Sequence, residues 1–218
     1  MKEKLPVNKE VKTSMKGSRW FGVLLFLILI IVDQLTKLFA DVYFNDIAGA
    51  PNKIVIIPNV IELCISYNRG IAFSGLADAD QWVKIAIVAA TGVLMAVFSI
   101  FYFKMDKRRT LIRLAIVLVV AGGVGNLIDR VYYRVWDPTT AAVIRDGVRD
   151  MVRINIIFDF GVCNFADFFI VGGAILLILS LLFFDRDAIF PVGKYKILAK
   201  EAEEKEEAKK AERQAKNG

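Results

Sequence analysis

Long apolar runs separated by charged segments set the pattern of this chain. Four of them, about 20–40, 82–103, 111–132 and 163–184, approach the ~20 residues that carry an α-helix across ~30 Å of hydrocarbon. Each predicts a membrane-spanning helix. The first is longer than the core of a cleavable leader and carries Asp33 and Lys37 near its far end, so it reads as a retained helix. The stretch "KIVIIPNVIELCISYNRG", from Lys53 to Gly70, differs. Its β-branched clusters, punctuated by Pro58-Asn59 and Asn68-Arg69-Gly70, predict short strands. Beyond Glu201, acids and bases alternate largely at helical spacing, which predicts an exposed charged helix. The expected fold is an all-α membrane protein with a small β element: four transmembrane helices and a small sheet in the first outer loop. The expected segments are 1–19, a transmembrane domain over 20–185 and a charged tail over 186–218.

Charge sets the orientation. Lys2, Lys4, Lys9, Lys12, Lys16 and Arg19 precede the first run, and Lys104, Lys107, Arg108, Arg109 and Arg113 stand between the second and third. Arg186, Lys194, Lys196 and Lys200 follow the fourth. The other two loops are poor in cations or mix them with acids. Cytoplasmic loops collect Lys and Arg, so both termini are expected inside and the two longer loops outside. The net charge of +6 follows from this clustering and needs no nucleic-acid partner.

Composition narrows the chemistry. The chain is 56% hydrophobic and contains no histidine. Catalysis by Ser-His-Asp or Cys-His, and the His-Glu-x-x-His zinc proteases, are therefore excluded. Cys64 and Cys163 lie far apart without a metal or disulfide motif. What remains is carboxylates and amides within the apolar runs. Asp33 and Lys37 lie toward the outer end of the first helix. Asn126, Asp129 and Arg130 lie in the outer half of the third, and Asn164 and Asp167 in the first turns of the fourth. Lys84, near the outer start, is the one charge in the second.

All of these fall at one membrane level, where polar groups must pair or line a wet cavity. Asp33 with Lys37, and Asp129 with Arg130, have an equally good reading as ion pairs fastening helix ends. Asp167 has no cation within a turn. A carboxylate in such a place can share a proton with a second one and do acid–base work. The second carboxylate can come from Asp137, Asp146, Asp150 or Asp159, and the pattern alone leaves this open.

Four blocks, "DQLTK" at 33–37, "NRGIAFS" at 68–74, "GNLIDR" at 125–130 and "NFAD" at 164–167, resemble the lipoprotein signal peptidases (signal peptidase II), in that family's order. The resemblance covers about residues 20–185. It implies an aspartyl endopeptidase of the bacterial inner membrane, working near the outer face as a monomer without a cofactor or metal. Its substrates would be diacylglyceryl-modified prolipoproteins, cut before the lipidated cysteine, and its inhibitor the cyclic peptide globomycin. Asp167 matches the family's second catalytic aspartate. "DGVRDM" at 146–151 points to Asp150 as the first, with Asp159 and Asp146 as lesser candidates, because the 131–145 stretch is longer than the family pattern. By the same match Asn68, Gly70, Asn126, Asp129, Arg130 and Asn164 would bind substrate, and Asp33 and Lys37 would position the site.

Two other classes compete. A proton-coupled carrier predicts polar residues spread through the membrane depth. A scaffold predicts none converging inside it.

Overall fold

The computed structural model describes residues 19–70, 76, 79–107, 109–137, 139, 147–156, 159–185, 187–190 and 192–217. Four helices are long and apolar enough to cross a membrane: α1 (Arg19–Asp46), α2 (Gln81–Lys104), α3 (Thr110–Tyr132) and α4 (Phe165–Phe183). A fifth, α5 (Lys194–Asn217), carries the charged tail. The first helix extends beyond the expected end near residue 40 because nothing from Asp41 to Asp46 breaks it. Asn45 instead donates back to the Asp41 carbonyl at 2.9 Å, and Gly49, with φ +79°, stands just past the end.

α3 is the hub. It packs against the other three spanning helices, and 61% of its most apolar window is buried in protein, against 11–17% for α1, α2 and α4. The other three present rows of Leu, Ile, Val and Phe outward, such as Leu24, Leu27, Ile28 and Ile31 on α1. Lipid, not protein, is the natural cover for those faces. Small residues let α3 approach its neighbours. A Cβ on Gly125 would stand 2.6 Å from the Asp33 carboxylate on α1, and a side chain on Gly122 would strike the Ala166 carbonyl on α4.

The core changes character along the bundle. At the end holding the α2–α3 connection it is mainly apolar, built from Met95, Tyr102, Ile112, Ile116, Val117 and Val120. Arg113, counted in sequence among the loop cations, is buried here, donating to the Tyr102 hydroxyl at 2.9 Å. At the other end the buried side chains include Asp33, Lys37, Asn126, Asp129, Arg149, Asp150 and Asn164.

The sheet is larger than the first loop alone. Strands β1 (Ile54–Ile57), β2 (Ile61–Asn68), β3 (Val148–Asn155) and β4 (Asp159–Cys163) form one antiparallel sheet in that order. Half of it comes from the connection between α3 and α4. A lone two-stranded hairpin is marginal in water, and the second hairpin adds the pairing that holds the first. β3 escaped the sequence reading because "VRDMVRIN" buries polar residues at its start, which blurs the apolar–polar alternation. Pairing of β2 with β3 sets Ser66 opposite Asp150 and Asn68 opposite Val148. Gly147, at φ +139°, leads into β3 where a Cβ would lie 2.8 Å from the Asn68 carbonyl carbon.

Candidate active site

α4 starts from a local device. The Asn164 side chain accepts from the Asp167 N–H at 3.1 Å, and the Asp167 carboxylate accepts from the Asn164 N–H at 3.1 Å. This reciprocal capping box satisfies two of the donors that any helix start leaves open. It also holds the Asp167 side chain back over the first turn, facing β3. Cys163 ends β4 immediately before it, so strand and helix meet at this point.

The remaining atoms of these two residues reach other elements. The Asn164 amino group donates to Asp150 Oδ1 at 2.6 Å and to Asn126 Oδ1 at 3.0 Å. The Asn126 amino group donates to Asp167 Oδ1 at 2.8 Å. Asn126 Oδ1 also accepts from Lys37 Nζ at 3.0 Å. An ammonium can only donate, so the Asn126 carbonyl must face Lys37 and its amino group must face Asp167. One amide thus goes to each aspartate, and the two amides are joined to each other.

Behind them lies a buried ionic layer. Lys37 pairs with Asp33 at 2.9 Å and Asp129 at 3.4 Å, and all three are buried. Asp33 also accepts the Ala166 N–H at 2.9 Å, tying α1 to the start of α4. Asp129 holds Arg149 through the guanidinium at 2.8 Å and the backbone N–H at 3.1 Å. Arg149 in turn donates to the Gln34 side chain at 3.2 Å. Arg149 is the residue before Asp150, so this layer fixes the strand that carries it. Neither Arg149 nor Gln34 was singled out in sequence, although each adjoins an aspartate that was.

Asp150 is buried and Asp167 half-buried. Burial, with the charge of Asp167 adding to it, pushes the Asp150 carboxyl up to about 7, against the opposing hydrogen bonds from Asn164 and Asn68. The Cys163 thiol is pushed up to about 12, first by burial and then by the two aspartates, and it donates to the Val152 carbonyl. It is no nucleophile at neutral pH.

Asn68 and Gly70 lie at the end of β2. Asn68 Oδ1 accepts the Gly70 N–H at 2.8 Å, and Arg130 donates to the Gly70 carbonyl at 3.2 Å. The structure therefore brings Asp150, Asp167, Asn68, Gly70, Asn126, Asp129, Arg130, Asn164, Asp33 and Lys37 to one end of the bundle. Asp159 pairs with Asn155, five residues along β3 from Asp150, or about 17 Å of strand. Asp137 is half-buried and bonded to Thr139. Asp146 lies outside the described residues.

A four-helix membrane protein with a carboxylate pair where its small sheet meets one end of the bundle is the class this architecture defines. The family model described as Signal peptidase (SPase) II matches residues 25–183. A lipoprotein signal peptidase of Clostridioides difficile is 35% identical over 75% of this chain and 95% of its own length. One from Fusobacterium nucleatum is 32% identical over 78% and 91%. A bacterial membrane enzyme solved by the in meso method at 2.3 Å resolution superposes with a TM-score of 0.59 at 25% identity, covering 75% of this chain and 88% of that one. The chain belongs to the signal peptidase II family. It is a multi-pass bacterial membrane protein and a peptidase.

Proposed function

We propose that the chain is an aspartic endopeptidase of the bacterial inner membrane. It removes signal peptides from diacylglyceryl-modified prolipoproteins, cutting before the lipidated cysteine. The observation that carries this reading is the linked pair Asp150–Asp167, each side chain held by an asparagine amide at the sheet end of the bundle. The relatives' shared name supplies the substrate class. The clustering of cations at the opposite end argues that both termini are cytoplasmic and the site is periplasmic.

In the mechanism, Asp150 carries the dyad's proton and Asp167 the charge. Asp167, with N–H donors on both oxygens, takes a proton from a water as it attacks the scissile carbonyl. Asp150 gives its proton to the developing oxyanion. As the tetrahedral intermediate collapses, Asp150 takes that proton back and Asp167 passes the proton it took from water to the leaving amine. The substrate's acyl chains lie in the bilayer beside the helices, so the lipid fixes the peptide bond over the dyad and supplies orientation. Asn126, Asn164 and Asp129 then act as positioning residues, because their polar atoms are engaged by the protein. Asn68 and Gly70 at the end of β2 present the peptide-binding edge, and Arg130 holds that edge in place. Globomycin competes for the same place.

The apolar stretch of α3 between Arg113 and Asn126 argues against a carrier. The two side chains are set about 20 Å apart along the helix, with Ala115, Ile116, Val117, Val120 and Ala121 buried between. A proton relay has no stepping stones there.

The test is a gel-shift assay with a diacylglyceryl-modified prolipoprotein. Wild type is expected to cleave it in chelator and to be blocked by globomycin. Asp150→Asn and Asp167→Asn are each expected to lose at least ~100-fold in rate, the lower end for an acid–base group. Full cleavage by either variant would overturn the dyad.

A further inference from the structure

Lys84 is the one cation in the outer part of α2, and the mechanism does not use it. Its ammonium has no hydrogen-bond or ion-pair partner among the described residues. It lines a small cavity with Arg69, Arg130, Ile87, Val88 and Val135, between α2 and the end of α3. The cavity has about 10 Å³ of space, room for about one water-sized group. Arg130 adds a second open donor. One of its amino groups holds the Gly70 carbonyl, but its Nε is buried without a partner.

A lone lysine at a helix end ordinarily reaches out to the lipid headgroups. This one instead shares an enclosed wall with two arginines. Arg69 is held by the Val135 and Asp137 carbonyls at 3.3 and 2.9 Å, and the Gly70 carbonyl is taken by Arg130. The donors left open are therefore the Lys84 ammonium and Arg130 Nε, with Arg69 adding its charge. A water needs acceptors as well as donors, whereas an anionic oxygen takes donors alone. The aspartates that attract Arg130, namely Asp167, Asp150 and Asp129, belong to the site already described.

The remaining walls are apolar, and Trp82, two residues before Lys84 on α2, is 77% exposed. Tryptophans so placed mark the membrane interface. We propose that Lys84, Arg69 and Arg130 form a site for the phosphate of a phospholipid in the leaflet on the sheet side, one phosphate oxygen entering the cavity while an acyl chain follows Ile87 and Val88 along α2. Because Arg130 also holds Gly70, a lipid seated here braces the end of β2.

Native mass spectrometry of the full chain tests this, with equal amounts of phosphatidylglycerol and phosphatidylcholine added. Wild type is expected to retain one phosphatidylglycerol, preferred about tenfold, the worth of one charge-assisted hydrogen bond. Lys84→Gln is expected to lose the preference and Lys84→Arg to keep it. Lys107→Gln, which removes the same charge at the opposite end, should keep it too. Val88→Trp fills the cavity without touching a charge and should abolish retention. Equal retention by wild type and Lys84→Gln, or equal loss in Lys107→Gln, would overturn the site. Displacement of the lipid by millimolar inorganic phosphate would overturn the phospholipid as its source.

Discussion

Asn126 has one carbonyl and one amino group, and Lys37 determines which way they point. Replacing Lys37 with methionine removes the cation between Asp33 and Asp129 and frees the amide to turn. Breaking a buried ionic group by removing one partner costs about 3–5 kcal/mol, so Lys37→Met is expected to lower the unfolding midpoint in detergent as well as the rate. Asp150 predicts a pH signature. Its folded value of about 7 lies above the ordinary 3.8, so the folded chain binds this proton more tightly than the unfolded one. Its contribution to stability is complete below about pH 4 and fades as pH rises to about 7. The proposed mechanism needs the same proton, so kcat/KM measured against pH should fall on the alkaline side near pH 7. An alkaline limb unchanged in an active Asn164→Ala variant, which strips a hydrogen bond from Asp150, would tell against this assignment. At this scale the sequence was half legible. Asn164 and Asp167 stood out because they are polar residues in an apolar run and no cation lies within a turn of Asp167. The polar pattern alone left four aspartates open as its partner, and only the family motif at 146–151 pointed to Asp150. The pairing of β3 with β2 that sets Asp150 opposite Ser66 has no local signal.

At the scale of elements, the spanning helices were readable because length and hydropathy fix them. Their contacts were not. That α3 is the hub depends on Gly122 and Gly125, whose lack of a side chain gives no periodic signal. Gly125→Val should force α1 away from α3 where Asp33 sits and lower both thermal stability and cleavage. Measuring both in one preparation separates that outcome from a purely catalytic defect. The two hairpins show the converse. The strands of the first loop announced themselves by β-branched residues, while β3, carrying buried charges, did not.

For the whole molecule, the polar end and the apolar end divide the work. The charged helix α5 stands apart from the site, so truncation after Gly193 is expected to leave cleavage of a prolipoprotein within about twofold of wild type, as surface changes usually do. A large loss of rate in membranes of the truncated chain would instead assign the tail a part in function.

The join between β2 and β3 also sets an order in time. β2 emerges just after α1, yet its partner β3 follows two further membrane crossings, and Asp167 arrives later still with α4. Contacts so distant along the chain form late. The proposed catalytic pair is therefore among the last things completed during insertion, and a half-inserted chain has no means of cutting anything. The protease is silent until its own passage through the membrane is over.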